Sequence, residues 1–273
     1  MNKKWMLKIG RHEKKKYSQL GQDGVLDYIF NNISTKNSPP FCIEFGFNSS
    51  SLKGGSGSNV ANLVKNKGWE CLLLDGDYEN PEINLYKHFL TEENICDIFK
   101  SYEVPKEFEY LSIDVDSIDL WLFRGVLSKY SPMVASVEYN AHFPIDRAIT
   151  ISNDTKLVVS ELKGPQKRRM YGASLKALKM VGNQFGYTLV HVVKGTDLFF
   201  IRNDLIKGCE SYSLESFGRK VHINWHSVQK NRELIDNYLD YEEYLRTDGD
   251  IEKSKKAAVD ICEECILKKI PRR

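Results

Sequence analysis

The feature that most constrains this chain is an alternation between residues 41 and 201: short apolar runs, each closed by an acid or glycine, separated by amphipathic stretches of helical period. Runs at 41–46, 70–75, 110–114 and 133–139 read as buried strands, with a weaker one at 86–90. Helical patterns occupy 58–67, 118–130 and 172–185. Such alternation predicts an α/β fold with a parallel sheet and crossover helices. The runs at 187–193 and 198–202 are joined by Lys194-Gly195-Thr196-Asp197, a turn signal that predicts a closing hairpin. Residues 1–40, with a helix beginning near Ser18, read as an N-terminal helical cap, 41–204 as the main domain, and 205–273 as a helical extension of two or three helices.

Charge excludes some functions. Lys and Arg total 39 against 37 Asp and Glu, a net charge of +2, so neither a nucleic-acid backbone nor an anionic membrane is the expected partner. No apolar run is long enough to span a bilayer, and residues 1–16 lack the apolar stretch of a secretory signal, so a cytoplasmic protein is expected. Cys42, Cys71 and Cys96 sit among apolar residues as reduced thiols would. Cys262 and Cys265 form a CxxC with no second ligand pair at zinc spacing, which reads as helix packing.

Ligands of open α/β sheets bind beyond the carboxyl ends of the strands. Here those ends carry Glu44, Asp75, Asp77, Asp114, Asp116, Glu138 and Asn140. One such acid is commonly a helix cap. Four strands in succession ending this way predict a cleft lined with acceptors for hydroxyl groups or a cation. Asp75 lies about 30 residues after the first strand's glycine, where an acid can accept from ribose hydroxyls. No G-x-G-x-x-G accompanies it, which disfavours a nicotinamide dinucleotide and leaves S-adenosylmethionine, a nucleoside without phosphate. Gly54-Gly55-Ser56-Gly57 lacks the Lys-Ser/Thr of a phosphate loop and reads as a flexible loop.

The ordered set S-Q-x-x-Q-D-G (18–24), E-F-G (44–46), S-N (58–59), G-W-x-x-x-L-L-D (68–75), E-N-I (93–95), Y-L-S-I-D-V-D (110–116), V-E-Y-N (137–140), Y-G-A-S-L (171–175) and G-Y-x-L-V (186–190) resembles the FkbM-like S-adenosylmethionine-dependent methyltransferases. The resemblance covers residues 17–204. It implies a Rossmann-like sheet of seven strands, six parallel and one antiparallel. It further implies that Glu44 and Gly46 belong to the loop that holds the methionine moiety, that Asp75 holds the ribose, that the segment around His88 to Asn94 forms the adenine pocket, and that Asn59 and Asp114 are also cofactor-binding residues. The sequence departs from the pattern after Gly46, where Phe47, Asn48 and Ser49 stand in place of further glycines.

For methyl transfer the protein must chiefly align the acceptor and take its proton. Asp114, Asp116, Glu138 and Asn140 converge on that task, with His142 the candidate base and Asp114 and Asp116 catalytic. Asp114, Asp116 and Glu138 are also candidate oxygen ligands for Mg²⁺ or Mn²⁺, an arrangement similar to that of sugar O-methyltransferases. The polar stretch at 152–170 contains Lys163, Lys167, Arg168 and Arg169 just before Tyr171, and reads as a basic lid or an ordinary loop. As a lid, Lys163, Arg168, Arg169 and Tyr171 would contact an acceptor carrying phosphate. The expectation is an O-methyltransferase for a small sugar-like acceptor, nucleotide-linked forms included, of the kind used in surface polysaccharides such as capsule or lipopolysaccharide. A homodimer is compatible with it. A methyltransferase for another small metabolite, and a Rossmann-like binding protein without transfer activity, remain open at this point.

Overall fold

The computed structural model describes residues 4–52, 55–154, 171–209 and 232–267. Seven strands form one sheet: β1 (Phe41–Phe45), β2 (Glu70–Asp75), β3 (Leu85–Lys87), β4 (Glu107–Ile113), β5 (Ser131–Glu138), β7 (Tyr187–Val192) and β8 (Asp197–Arg202). Their spatial order is β3-β2-β1-β4-β5-β8-β7. Pairings from β3 through β5 are parallel, while β8 runs antiparallel to both neighbours, Val134 opposite Ile201 and Thr188 opposite Ile201. This is the Rossmann-like sheet expected, with the closing hairpin in place.

Alternation within the strands builds two cores. In β1, Ile43 and Phe45 join Leu72, Leu74, Leu111 and Ile113 against α3 (Ile95–Ser101), α4 (Asp119–Leu127) and α5 (Leu175–Gln184). Cys42 points the other way, with Leu73, Tyr110 and Met133, toward α1 (Gln22–Phe30), α2 (Ala61–Lys67) and the 3₁₀ turn Met6–Arg11. Burying both faces is what a parallel sheet requires. The order β2-β1-β4 places the reversal of strand order between β1 and β4, the point at which doubly wound sheets open a crevice.

Helix ends follow local chemistry. Gly68 ends α2 in the left-handed conformation at φ 67°. Ser174 begins α5, its Oγ accepting from the Ala177 amide.

Two short elements were not foreseen. Strand β6 (Ile149–Ile151) pairs antiparallel with β9 (Tyr238–Asp240) as a separate ribbon, followed by α6 (Tyr241–Arg246) and α7 (Ile251–Leu267). The C-terminal segment is therefore not purely helical. Cys262 is buried beside Phe143, Ile149, Tyr238 and Ala258, a packing role. Cys42, Cys71 and Cys96 are buried free thiols, as expected. His191 is a core residue, its Nε2 2.8 Å from Glu13 Oε1. Among the described residues no helix is long and apolar enough to cross a membrane.

Candidate functional site

A cavity of about 890 Å³ opens at the carboxyl ends of β1, β2, β4 and β5, within the range of about 300–1,000 Å³ usual for small-molecule sites. Gly46, Asp75, Asp114, Asp116, Glu138 and Tyr171 all line it, and so does the segment 88–93 after β3. The structure thus gathers these sequence-predicted residues around one cavity.

Gly46 sits at φ 71°, and a Cβ there would stand 1.6 Å from the Asp114 carbonyl oxygen. Only glycine lets the end of β1 lie against the end of β4. Its amide donates to the Leu74 carbonyl at 3.0 Å, tying in β2 as well. Two residues on, Asn48 adopts φ 52°, a left-handed conformation that asparagine tolerates better than most residues. Asparagine thus does there what a further glycine would, which accounts for the departure from the expected loop pattern.

Asp75 is buried and already engaged. Its Oδ1 accepts from the amides of Asp77 (2.7 Å) and Tyr78 (3.0 Å), and its Oδ2 from the Asn48 amide at 2.7 Å. By lone-pair count Oδ2 keeps one acceptor position. Asp75 therefore both shapes the loops around the cavity and offers one further hydrogen bond, not the two expected. His88 follows β3, its amide donating to the Asp75 carbonyl at 2.8 Å and its Nε2 lying 2.8 Å from the Tyr102 hydroxyl.

Four expected site residues are placed elsewhere. Glu44 is the penultimate residue of β1, so the strand's period of two turns it toward α2. There it accepts from Ser58 Oγ (2.6 Å) and the Asn59 amide (2.7 Å), and burial pushes its carboxyl up to about 7 against the lowering effect of these bonds. Asn59 Nδ2 donates to Ser112 Oγ at 3.0 Å, in a buried network beneath the cavity that also contains Asp197 and Gln22. Asn140 donates through Nδ2 to the Tyr171 carbonyl at 2.7 Å and accepts from the His142 amide at 2.8 Å. Neither Asn140 nor His142 lines the cavity. Asn140 positions Tyr171, because it fastens the backbone that carries the phenol. Lys163, Lys167, Arg168 and Arg169 lie outside the described residues.

At the far end of the cavity, one carboxylate oxygen from each of Asp114, Asp116 and Glu138 lies within 4.8 Å of the others. Tyr171 donates its hydroxyl to Glu138 Oε1 at 3.3 Å. Burial first, and then neighbouring carboxylates, push Asp114 and Glu138 well above the usual range; burial alone raises Asp116. Tyr171 is pushed up by burial and then by the charge of Glu138. The loop is fixed by Asp119, whose Oδ1 accepts from the Val115 amide (2.8 Å) and Oδ2 from the Ser117 amide (3.0 Å). Asp119, not Asp116, therefore closes the turn into α4. Asp116 is exposed in the cavity, with φ 59°.

Several wall residues were missed. Gln19 and Ser56 reach the cavity because the N-terminal segment packs on the loop before α2, where a Cβ on Gly57 would lie 2.4 Å from the Gln19 amide nitrogen. The loop read as flexible is packed where it is described. Trp121 lines the cavity too, its Nε1 donating to the Ile151 carbonyl at 2.7 Å, and the lining residue Glu92 is held from behind by Arg124 at 2.6 Å. The quoted S-Q-x-x-Q-D-G motif contained the signal for Gln19; the others depend on contacts between distant segments.

Fold and cavity together define a Rossmann-like α/β protein with a carboxylate-bearing cavity at its strand-order reversal. No family model matches the chain, and no curated protein matches it.

Proposed function

We propose that this chain is a cytoplasmic S-adenosylmethionine-dependent O-methyltransferase acting on a small sugar-like acceptor, phosphorylated or nucleotide-linked acceptors included, in the making of a surface polysaccharide. The observation that carries the reading is the cavity itself. It runs from an acid at the end of β2, past a glycine at the end of β1, to a carboxylate cluster on β4 and β5. The ordered motifs support the same class, and the polysaccharide precursor rests on them alone.

The residues present fit such a cofactor. Asp75 Oδ2 has an acceptor position for one ribose hydroxyl, the 88–93 segment supplies a wall for the base, and Gly46 leaves the strand end bare of side chain. When bound, S-adenosylmethionine supplies an electrophilic methyl group on a sulfonium. The protein's part is to orient the acceptor hydroxyl and receive its proton, and alignment alone accounts for about 7–11 kcal/mol in well-oriented systems. Asp116 is the most open of the three clustered carboxylates and the one placed to take that proton. Tyr171 and Glu138 fix the position of the acceptor beside it.

Calorimetry with S-adenosylhomocysteine tests the reading. Binding to the full chain at one site is expected. Asp116→Asn should leave that affinity within about twofold while lowering methyl transfer by a factor of about 10² or more, the scale of general-base catalysis. Absence of saturable binding by the folded chain would overturn the proposal.

A further inference from the structure

Glu92 lines the cavity on the segment after β3, and both of its carboxylate oxygens end on groups held by the C-terminal segment that carries β9, α6 and α7. Oε1 accepts from Arg124 Nε on α4 at 2.6 Å. The Arg124 guanidinium lies in the corner of two nearly perpendicular rings, 4.9 Å from the centre of Trp121 and 5.3 Å from that of Tyr244 on α6. Both separations are within the reach of about 6 Å over which a cation is drawn to an aromatic face. Oε2 receives a longer bond from Asn153 Nδ2 at 3.4 Å, and Asn153 lines the cavity as well. Both neighbours of Asn153 are tied to the C-terminal segment. The Ser152 amide donates to the Asn237 carbonyl at 2.8 Å, just before β9, and Asp154 pairs with Lys255 of α7 at 2.8 Å. The backbone of Glu92 is fixed too, since a Cβ on Gly125 would stand 3.0 Å from its carbonyl oxygen.

We propose that Arg124 and Tyr244 are positioning residues for the ligand cavity: acting through Glu92, they let the C-terminal segment fix the wall formed by residues 88–93. A segment that merely covered α4 would meet its apolar side chains. This one reaches a single cavity-lining carboxylate by two routes. The side chains of Arg124 and Glu92 are only 24% and 14% exposed, so the pair is largely withdrawn from water. Removing one partner of such a pair leaves the other charge uncompensated. Glu92 without a correctly aimed Arg124 regains hydration by turning away from α4, and that motion disturbs the wall. Tyr244 acts one step further back, because its ring is one of the two surfaces that aim the guanidinium. A wall held in place beforehand spares the ligand the cost of ordering it on binding. The positioning stands on these contacts alone; the choice of S-adenosylhomocysteine as the probe for affinity rests on the methyltransferase reading.

The test compares the full chain with Tyr244→Ala, Glu92→Gln, the double variant and Leu245→Ala, an exposed neighbour on α6. Hydrogen exchange reads the wall without any ligand. The amides of Thr91 and Ile95, which donate to Asn94 Oδ1 at 2.8 Å and to the Thr91 carbonyl at 3.1 Å, report on the segment. In Tyr244→Ala they should exchange at least about fivefold faster, while the Gly46 amide keeps its parental rate. Leu245→Ala should match the unaltered chain. Calorimetry with S-adenosylhomocysteine should show affinity falling at least about fivefold in Tyr244→Ala, but by no more than about twofold when the same change is added to Glu92→Gln, because the two residues act in series. Parental exchange at Thr91 and Ile95, equal acceleration at Gly46, or an affinity that Tyr244→Ala leaves unaltered or lowers equally in both backgrounds would overturn the proposal. Should Tyr244→Ala fail to fold, Tyr244→Leu, which keeps apolar bulk without the ring face, is read by the same criteria. If the unaltered chain does not bind S-adenosylhomocysteine, the methyltransferase reading falls and the exchange rates alone decide the positioning.

Discussion

Gly46 and Asp114 are pressed together so closely that a single added carbon on the glycine would stand 1.6 Å from the aspartate's carbonyl oxygen. This contact joins the two strand ends between which the cavity opens. Gly46→Ala combines a left-handed backbone, costing roughly 1–2 kcal/mol for a side-chain-bearing residue, with an overlap that backbone must move to relieve. A loss of more than about 2 kcal/mol in urea unfolding is expected. A variant as stable as the parent would show that the two strand ends are not packed in this way.

Asn48 offers the complementary test. Its φ of 52° is tolerated by asparagine and free for glycine, but poorly accessible to a β-branched residue. Asn48→Gly should retain stability within about 0.5 kcal/mol, whereas Asn48→Val should lose about 1–2 kcal/mol. Thermal unfolding of the pair decides it, and equal effects of Gly and Val would refute the backbone argument.

The N-terminal segment is held by Asp23, whose Oδ2 receives the amides of Lys16, Tyr17 and Ser18 at 2.8–2.9 Å and Ser18 Oγ at 2.6 Å. Hydrogen bonds to a charged acceptor contribute about 1.5–3 kcal/mol each, and less than additively. Asp23→Ala should destabilise the fold by about 3 kcal/mol or more and release residues 16–19 from the cavity rim. Hydrogen exchange would report this as lost protection at the amides of Lys16, Tyr17 and Ser18, and unchanged protection would contradict it.

Glu44 gives stability a pH dependence of known sign. Its carboxyl is raised from 4.5 to about 7, mainly by burial. The folded state therefore holds a proton that the unfolded state has released. Glu44's contribution is fully present below about pH 4.5 and is lost as pH climbs through 7, by an amount on the order of 3 kcal/mol. Denaturant unfolding of the parent and of Glu44→Gln, compared between pH 5 and 8, should show the variant gaining relative stability as pH rises. Parallel profiles would show that Glu44 is ionised in the fold throughout.

Position along a strand explains which site residues could be read in advance. Asp75 and Glu138 are the last residues of β2 and β5, and Asp114 is the first beyond β4. Residues so placed reach the carboxyl edge whatever face they begin on. Glu44 is one residue short of its strand's end, between Ile43 and Phe45 of the opposite core, and so turns beneath the sheet. Its parity was in the sequence; its partners Ser58 and Asn59 were not. His142 lies off the cavity lining for a different reason: its loop is set by Asn140 and Tyr171, which are 31 residues apart.

The sequence by itself determined the alternation of strand and helix, the burial of both sheet faces, the closing hairpin and the gathering of acids at strand ends. These follow from short-range periodicity and from residue chemistry at chain turns. Only the tertiary structure decided the pairing of β6 with β9, three-residue strands far apart in the chain, and the approach of Gly46 to Asp114. It also decided the meeting of Asp114, Asp116 and Glu138 within 4.8 Å. Each is a long-range contact set by how packed elements fit together, a quantity with no period along the chain.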